Sequence, residues 1–88
     1  LSIDEWAEKQ ISLPYPNPTS NRVSFKLGNI GRSVNISIYT IYGQKLFNNT
    51  VNSGNGFIEL KLNDEWQGPL LVIFEGDFGK VARKIFKI

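Results

Sequence analysis

Gly68-Pro69-Leu70-Leu71-Val72-Ile73-Phe74-Glu75-Gly76-Asp77-Phe78-Gly79-Lys80-Val81-Ala82-Arg83-Lys84-Ile85-Phe86-Lys87-Ile88 is the stretch on which the fold turns. Leu70 to Phe74 is apolar on both parities, as expected of a central strand packed on both faces. Pro69 suits the first position of such a strand, where the ladder need not use its nitrogen. Glu75 to Gly79 predicts a hairpin turn. Lys80 to Ile88 then carries Ala82, Lys84, Phe86 and Ile88 on one parity and Val81, Arg83, Ile85 and Lys87 on the other. Both faces are mixed, which suits an edge strand whose lysines discourage further pairing.

Working outward, the same period of two recurs. Ile58, Leu60 and Leu62 alternate with Glu59 and Lys61, ahead of a break at Asn63-Asp64-Glu65-Trp66-Gln67-Gly68. Asn52-Ser53-Gly54-Asn55-Gly56 reads as a loop, and Gln44 to Val51 as a returning hairpin strand with Leu46 its best core candidate. Val34, Ile36 and Ile38 form a dry face, after which the phase slips from Tyr39 to Tyr42 into a tight connection ending at Gly43. Val23, Phe25 and Leu27 form another, closed by Gly28-Asn29 and Gly31. The prediction is all-β: an immunoglobulin-like antiparallel β-sandwich of six to seven short strands, without the Cys…Trp…Cys signature of antibody domains.

Leu1 to Gln10 differs in composition from the rest. Ser2 and Glu5 have capping-box spacing, and Ile3, Trp6 and Ala7 share an apolar face, enough for a turn or two of helix. A helix that short is unstable alone, so residues 1–10 read as a linker or the tail of a preceding region, and 11–88 as the domain.

The chain has 88 residues, the size of one domain, with neither Cys nor His. Thiolate nucleophiles, imidazole bases and Cys/His zinc sites are thereby excluded. A net charge of +2 gives no reason to invoke nucleic acid. The distribution is more informative: Lys80, Arg83, Lys84 and Lys87 crowd the last stretch, where no acid follows Asp77, while Asp4, Glu5 and Glu8 open the chain. No apolar run approaches the ~20 residues of a membrane-spanning helix. The start, without Met or a signal pattern, reads as a soluble piece of a longer protein.

Tyr15-Pro16-Asn17-Pro18-Thr19 is the most distinctive string. Its prolines fix alternate φ angles and extend their predecessors, predicting a rigid corner with Asn17 free to make a side-chain turn bond. The acidic pairs Asp64-Glu65 and Glu75…Asp77 fall in turns, solvated rather than placed in an apolar pocket, so no catalytic site, and no enzyme, is expected. Asn63 and Asp64 lack a recognised calcium-loop spacing, and no metal or cofactor is expected. Trp6, Tyr39, Tyr42, Phe57 and Trp66 read as packing residues; the alternative is sugar stacking, in a carbohydrate-binding or cell-surface adhesion module. Asn35-Ile36-Ser37 and Asn48-Asn49-Thr50 fit the N-glycosylation pattern by coincidence, the first inside a strand.

Four motifs in order carry a family resemblance: Tyr15 to Pro18; Val34-Asn35-Ile36-Ser37-Ile38-Tyr39-Thr40-Ile41-Tyr42-Gly43-Gln44; Trp66-Gln67-Gly68 opening an apolar strand; and Gly79-Lys80 leading to Lys84-Ile85-Phe86-Lys87-Ile88. Over about residues 11 to 88 the chain resembles the C-terminal sorting domain of type IX secretion system (Por secretion system) cargo of Bacteroidetes. It departs from the pattern at Leu70, where the family usually has an aromatic shortly after the glycine, and at Thr40, where an acid often follows the tyrosine.

The resemblance implies a secretion signal that directs a folded upstream cargo from the periplasm across the outer membrane to the cell surface or medium. Its partners would be the translocon and a sortase-like peptidase that cleaves ahead of the domain. It implies recognition without catalysis, through an exposed terminal strand open to strand addition and charge steering. Lys80, Lys84, Lys87 and Ile88 are the expected recognition residues; Pro16, Asn17, Pro18, Gly43, Gly68 and Gly79 are expected to hold the shape. An open edge also predicts a strand-exchanged homodimer for the isolated domain.

Overall fold

A computed structural model describes residues 3–28, 30–31, 33–52 and 56–88. Ser2 of the capping-box reading, Asn29 of the first turn and residues 53–55 of the expected loop lie outside the described residues. The elements run α1 (Ile3–Gln10), β1 (Arg22–Lys26), β2 (Ser33–Thr40), β3 (Lys45–Asn52), β4 (Phe57–Lys61), β5 (Gly68–Gly76) and β6 (Gly79–Lys87).

The strands form two antiparallel sheets, β1-β4 and β3-β2-β5-β6, with a single core between them. The alternation places Val23, Phe25, Leu60 and Leu62 on the inner face of the small sheet, opposite Val34, Ile36, Ile38, Leu70, Val72, Phe74, Val81 and Ile85 of the large one. Phe25 meets Phe74 edge-to-face across the layers, ring centroids 4.8 Å apart at 75°. β5 is an interior strand, as its continuous apolar run predicts. Its outer residues Leu71 and Ile73 are half-buried under the neighbouring strands' side chains rather than under another layer.

The core buries β2, β5 and β6 more completely than β3, which has no fully buried residue. On the core parity of β3, Phe47 and Val51 pair with Ile38 and Val34 and pack partly buried against the core, while Asn49 between them pairs with buried Ile36 and is exposed. The phase slip after Ile38 has two sources: β2 ends at Thr40, and the register shifts between Ile38 and Tyr39, leaving Leu46 as an extra residue on β3. Leu46 is accordingly only half-buried against the core.

The β5-β6 hairpin is tighter than Glu75 to Gly79, because Gly76 pairs with Gly79 around Asp77 and Phe78. Phe78 folds back into the core, and a Cβ on Gly76 would stand 2.9 Å from its ring, so this close approach requires glycine.

Residues 11–19 cross from one sheet to the other. Ser12 N donates to Lys26 O at 2.9 Å and Lys26 N to Ser12 Oγ at 2.8 Å, while Tyr15 and Ser24 exchange backbone bonds of 3.0 and 2.7 Å, so this part lines β1. Four residues later Thr19 has moved to β6: its N donates to Phe86 O at 2.9 Å and its O accepts from Ile88 N at 2.8 Å.

Candidate functional site

β6 sets out the expected recognition residues by parity. Lys80, Ala82, Lys84 and Phe86 face outward; Val81, Ile85 and Lys87 face the core. Lys80 lies at the hairpin end, exposed, its Nζ 3.8 Å from Glu75 Oε2 on the neighbouring strand. Lys84 is exposed and in register with Leu71. Ile88 is exposed beyond the strand, with its N–H held by Thr19 O.

Lys87 is different: it is only 3% exposed, on the core parity at the sandwich rim, and its Nζ donates to Ile88 O at 2.9 Å. The structure therefore groups Lys80, Lys84 and Ile88 on one side of the strand and turns Lys87 away from them. The free edge expected of β6 is in part occupied. Around Phe86 and Ile88 its outward groups are taken by Thr19, and Phe86 N donates to Asn17 Oδ1 at 2.9 Å. Strand addition, and strand exchange between copies, would have to displace residues 17–19.

Arg83 anchors the rest of that cover, a residue the motif reading passed over. Its side chain is 12% exposed. Nη1 donates to Glu8 Oε2 at 2.6 Å and Ala82 O at 3.0 Å, Nη2 to Glu8 O at 2.6 Å and Ile11 O at 2.8 Å, and Nε to Ser12 O at 3.3 Å. One planar guanidinium thus ties the end of α1 and the start of the crossing segment to β6. The available signal was parity: a cation between Val81 and Ile85, on the buried phase, needs a partner.

The Tyr-Pro-Asn-Pro-Thr string divides its labour by position. Tyr15, Asn17 and Thr19 make the bonds to the two sheets, and Pro16 and Pro18, each preceded by a cis peptide bond, fall between them, where a missing N–H leaves no ladder bond unmade. Thr19 is buried, and its Oγ1 donates to Arg22 O. At the β2-β3 turn the Thr40 hydroxyl accepts from Tyr42 N at 3.3 Å and Gln44 N at 3.2 Å. A carboxylate at this position would accept the same two donors, so Thr40 supplies the turn chemistry of the acid that the resemblance leads one to expect there. Gly43, Gly68 and Gly79 hold φ of +88°, +85° and +109°, conformations side chains rarely adopt.

Against known families, residues 14–87 match the model of the secretion system C-terminal sorting domain. The chain belongs to this family. No curated protein and no solved structure gives a match. The matched region begins within the crossing segment and ends on β6, so it takes in every strand among the described residues and leaves out α1. As a sorting domain the chain serves as a type IX secretion signal, which implies interaction with that machinery and with an upstream cargo, and export toward the outer membrane or cell surface.

The aromatics of the sugar-binding alternative do not converge in the sorting domain. Trp66 packs on the core, Trp6 lies beside Ile30 and Phe78, Phe57 borders the small sheet, and Tyr39 lies on the outer face of the large sheet near the exposed turn residue Tyr42. Asn63 Oδ1 accepts from Glu65 N at 2.8 Å, spending on a turn the oxygen considered for calcium. The two glycosylation-pattern asparagines bond each other, Asn48 Nδ2 donating to Asn35 Oδ1 at 3.0 Å and to Ser37 Oγ at 2.7 Å.

Proposed function

We propose that the sandwich is a folded address label that acts by being bound, without catalysis. A cargo joined upstream is carried by it from the periplasm through the type IX translocon to the cell surface or medium, and a sortase-like peptidase then cuts between cargo and label. The family match over residues 14–87 carries this reading. In it residues 11–88 form the label, and residues 1–10 join it to the cargo. Lys80, Lys84 and Ile88, displayed on the outward side of β6, are contacts for the machinery. Lys87, Pro16, Asn17, Pro18, Gly43, Gly68 and Gly79 keep the label in shape.

The test is a fusion of residues 1–88 behind a fluorescent protein with a periplasmic export signal, in a host that has a type IX system. Fluorescence should reach the surface or medium. Retention of a well-folded fusion in the periplasm would overturn the reading.

A further inference from the structure

The outer face of the four-stranded sheet is organised in rows that cross all its strands. Tyr39 is in register with Lys45 on β3 and Leu71 on β5, and Leu71 with Lys84 on β6. One row therefore reads Lys45, Tyr39, Leu71, Lys84: a cation at each end and apolar surface between. The Lys45 Nζ stands 5.7 Å over the Tyr39 ring, which confirms that the two share this face. Tyr39, Leu71, Lys84 and the exposed Ile41 border an open groove of about 380 Å³.

The neighbouring rows have no comparable character. At the hairpin end Lys80 is answered by Glu75, and between them Asn35, Ser37 and Asn48 satisfy one another. Among the described residues no carboxylate lies within ion-pair distance of Lys45 or Lys84. The larger groove bordered by Leu13, Tyr15 and Phe57 carries one lysine, Lys26.

We propose that this row is a docking groove for an extended protein segment of the secretion machinery, with an apolar side chain over Tyr39 and Leu71 and a carboxylate for each lysine. The proposal rests on the sorting reading and names the partner's chemistry. Three strand spacings separate β3 from β6, about 14 Å, a span that an extended chain covers in roughly four residues. Two acids about that far apart, with an apolar residue between them, fit the row. A lipid surface fits less well, since polybasic lipid-binding sites gather about 4–8 cations.

The test uses the fluorescent fusion of the full 88-residue chain. The double variant Lys45→Glu/Lys84→Glu should melt like wild type and lose about tenfold or more of its exported fraction, while Lys61→Glu, on the other sheet beside Arg22, exports normally. Normal export of the folded double variant would overturn the docking groove alone; retention of the wild-type fusion would overturn the sorting reading and the groove with it. If the double Glu variant fails to fold, Lys45→Gln/Lys84→Gln decides, with a loss of about threefold expected and none overturning the proposal. Two results would reassign the row and so overturn the proposal. One is binding of the chain to vesicles of equal parts phosphatidylcholine and phosphatidylglycerol that the double variant loses. The other is a dimer in sedimentation that the same variant abolishes.

Discussion

The two edge strands of the large sheet, β3 and β6, are protected in opposite ways. β3 contributes only the half-buried Leu46, Phe47 and Val51 to the core and is defended by composition: Lys45, Asn48, Asn49, Thr50 and Asn52 leave little for another strand to bury. Thr50 N even donates to the Asn49 side chain, to Oδ1 at 3.0 Å. β6 is rich in core residues and is defended by cover, through Arg83 at one end and Asn17 and Thr19 at the other. An edge can be closed by what it is made of or by what lies on it; the first is written in the strand's composition, while the second marks β6 only through the cation Arg83 on its buried phase.

The cover on β6 is the larger energetic commitment, and Arg83→Ala is the strongest way to break it. Removing the guanidinium strands the carbonyls of Glu8, Ile11 and Ser12 together, for an expected loss of about 2–3 kcal/mol. Denaturant unfolding measures the loss, and a change below about 0.5 kcal/mol would mean that the segment is held by something else. Thr19→Val keeps the volume and the backbone pairing but deletes the buried bond to Arg22 O, leaving that carbonyl without its hydroxyl donor. Its cost is about 1–2 kcal/mol in the same measurement, and a stability equal to wild type would remove the hydroxyl from the account of the corner. Asn49→Val sharpens the other half of the comparison. Stability should stay within about 0.5 kcal/mol, while light scattering shows association that grows with concentration; a variant that remains monomeric at high concentration would show that β3 does not depend on its polar side chains.

Much of the architecture was legible locally. The dry faces Val23/Phe25, Val34/Ile36/Ile38 and Leu60/Leu62 were readable because a strand's side chains alternate whatever it pairs with, and Leu70 to Phe74 announced an interior strand because it has no wet phase. Phe78 was not legible: a hydrophobe between turn residues gives no parity, and its burial follows from the hairpin turning back over the core. The candidate site was legible as composition and not as arrangement. Lys84 and Lys87 look alike in the sequence, but an odd number of positions separates them, so one faces outward and the other inward. Lys45 carried no signal at all, since its place in a row with Tyr39, Leu71 and Lys84 exists only once four strands are in register.

By itself, then, the sequence determined the all-β character, the dry face of each strand, the absence of Cys and His chemistry, and, through its ordered motifs, the sorting family. Those properties are local: side-chain alternation, turn chemistry and residue inventory act within a few positions of the chain. Tertiary structure alone decided that residues 17–19 close the edge of β6, that Arg83 clasps Glu8, Ile11 and Ser12 to it, and which lysines share a face with which apolar residues. Each of those depends on pairing between segments far apart in the chain, where register and coverage, rather than residue type, fix what a side chain meets.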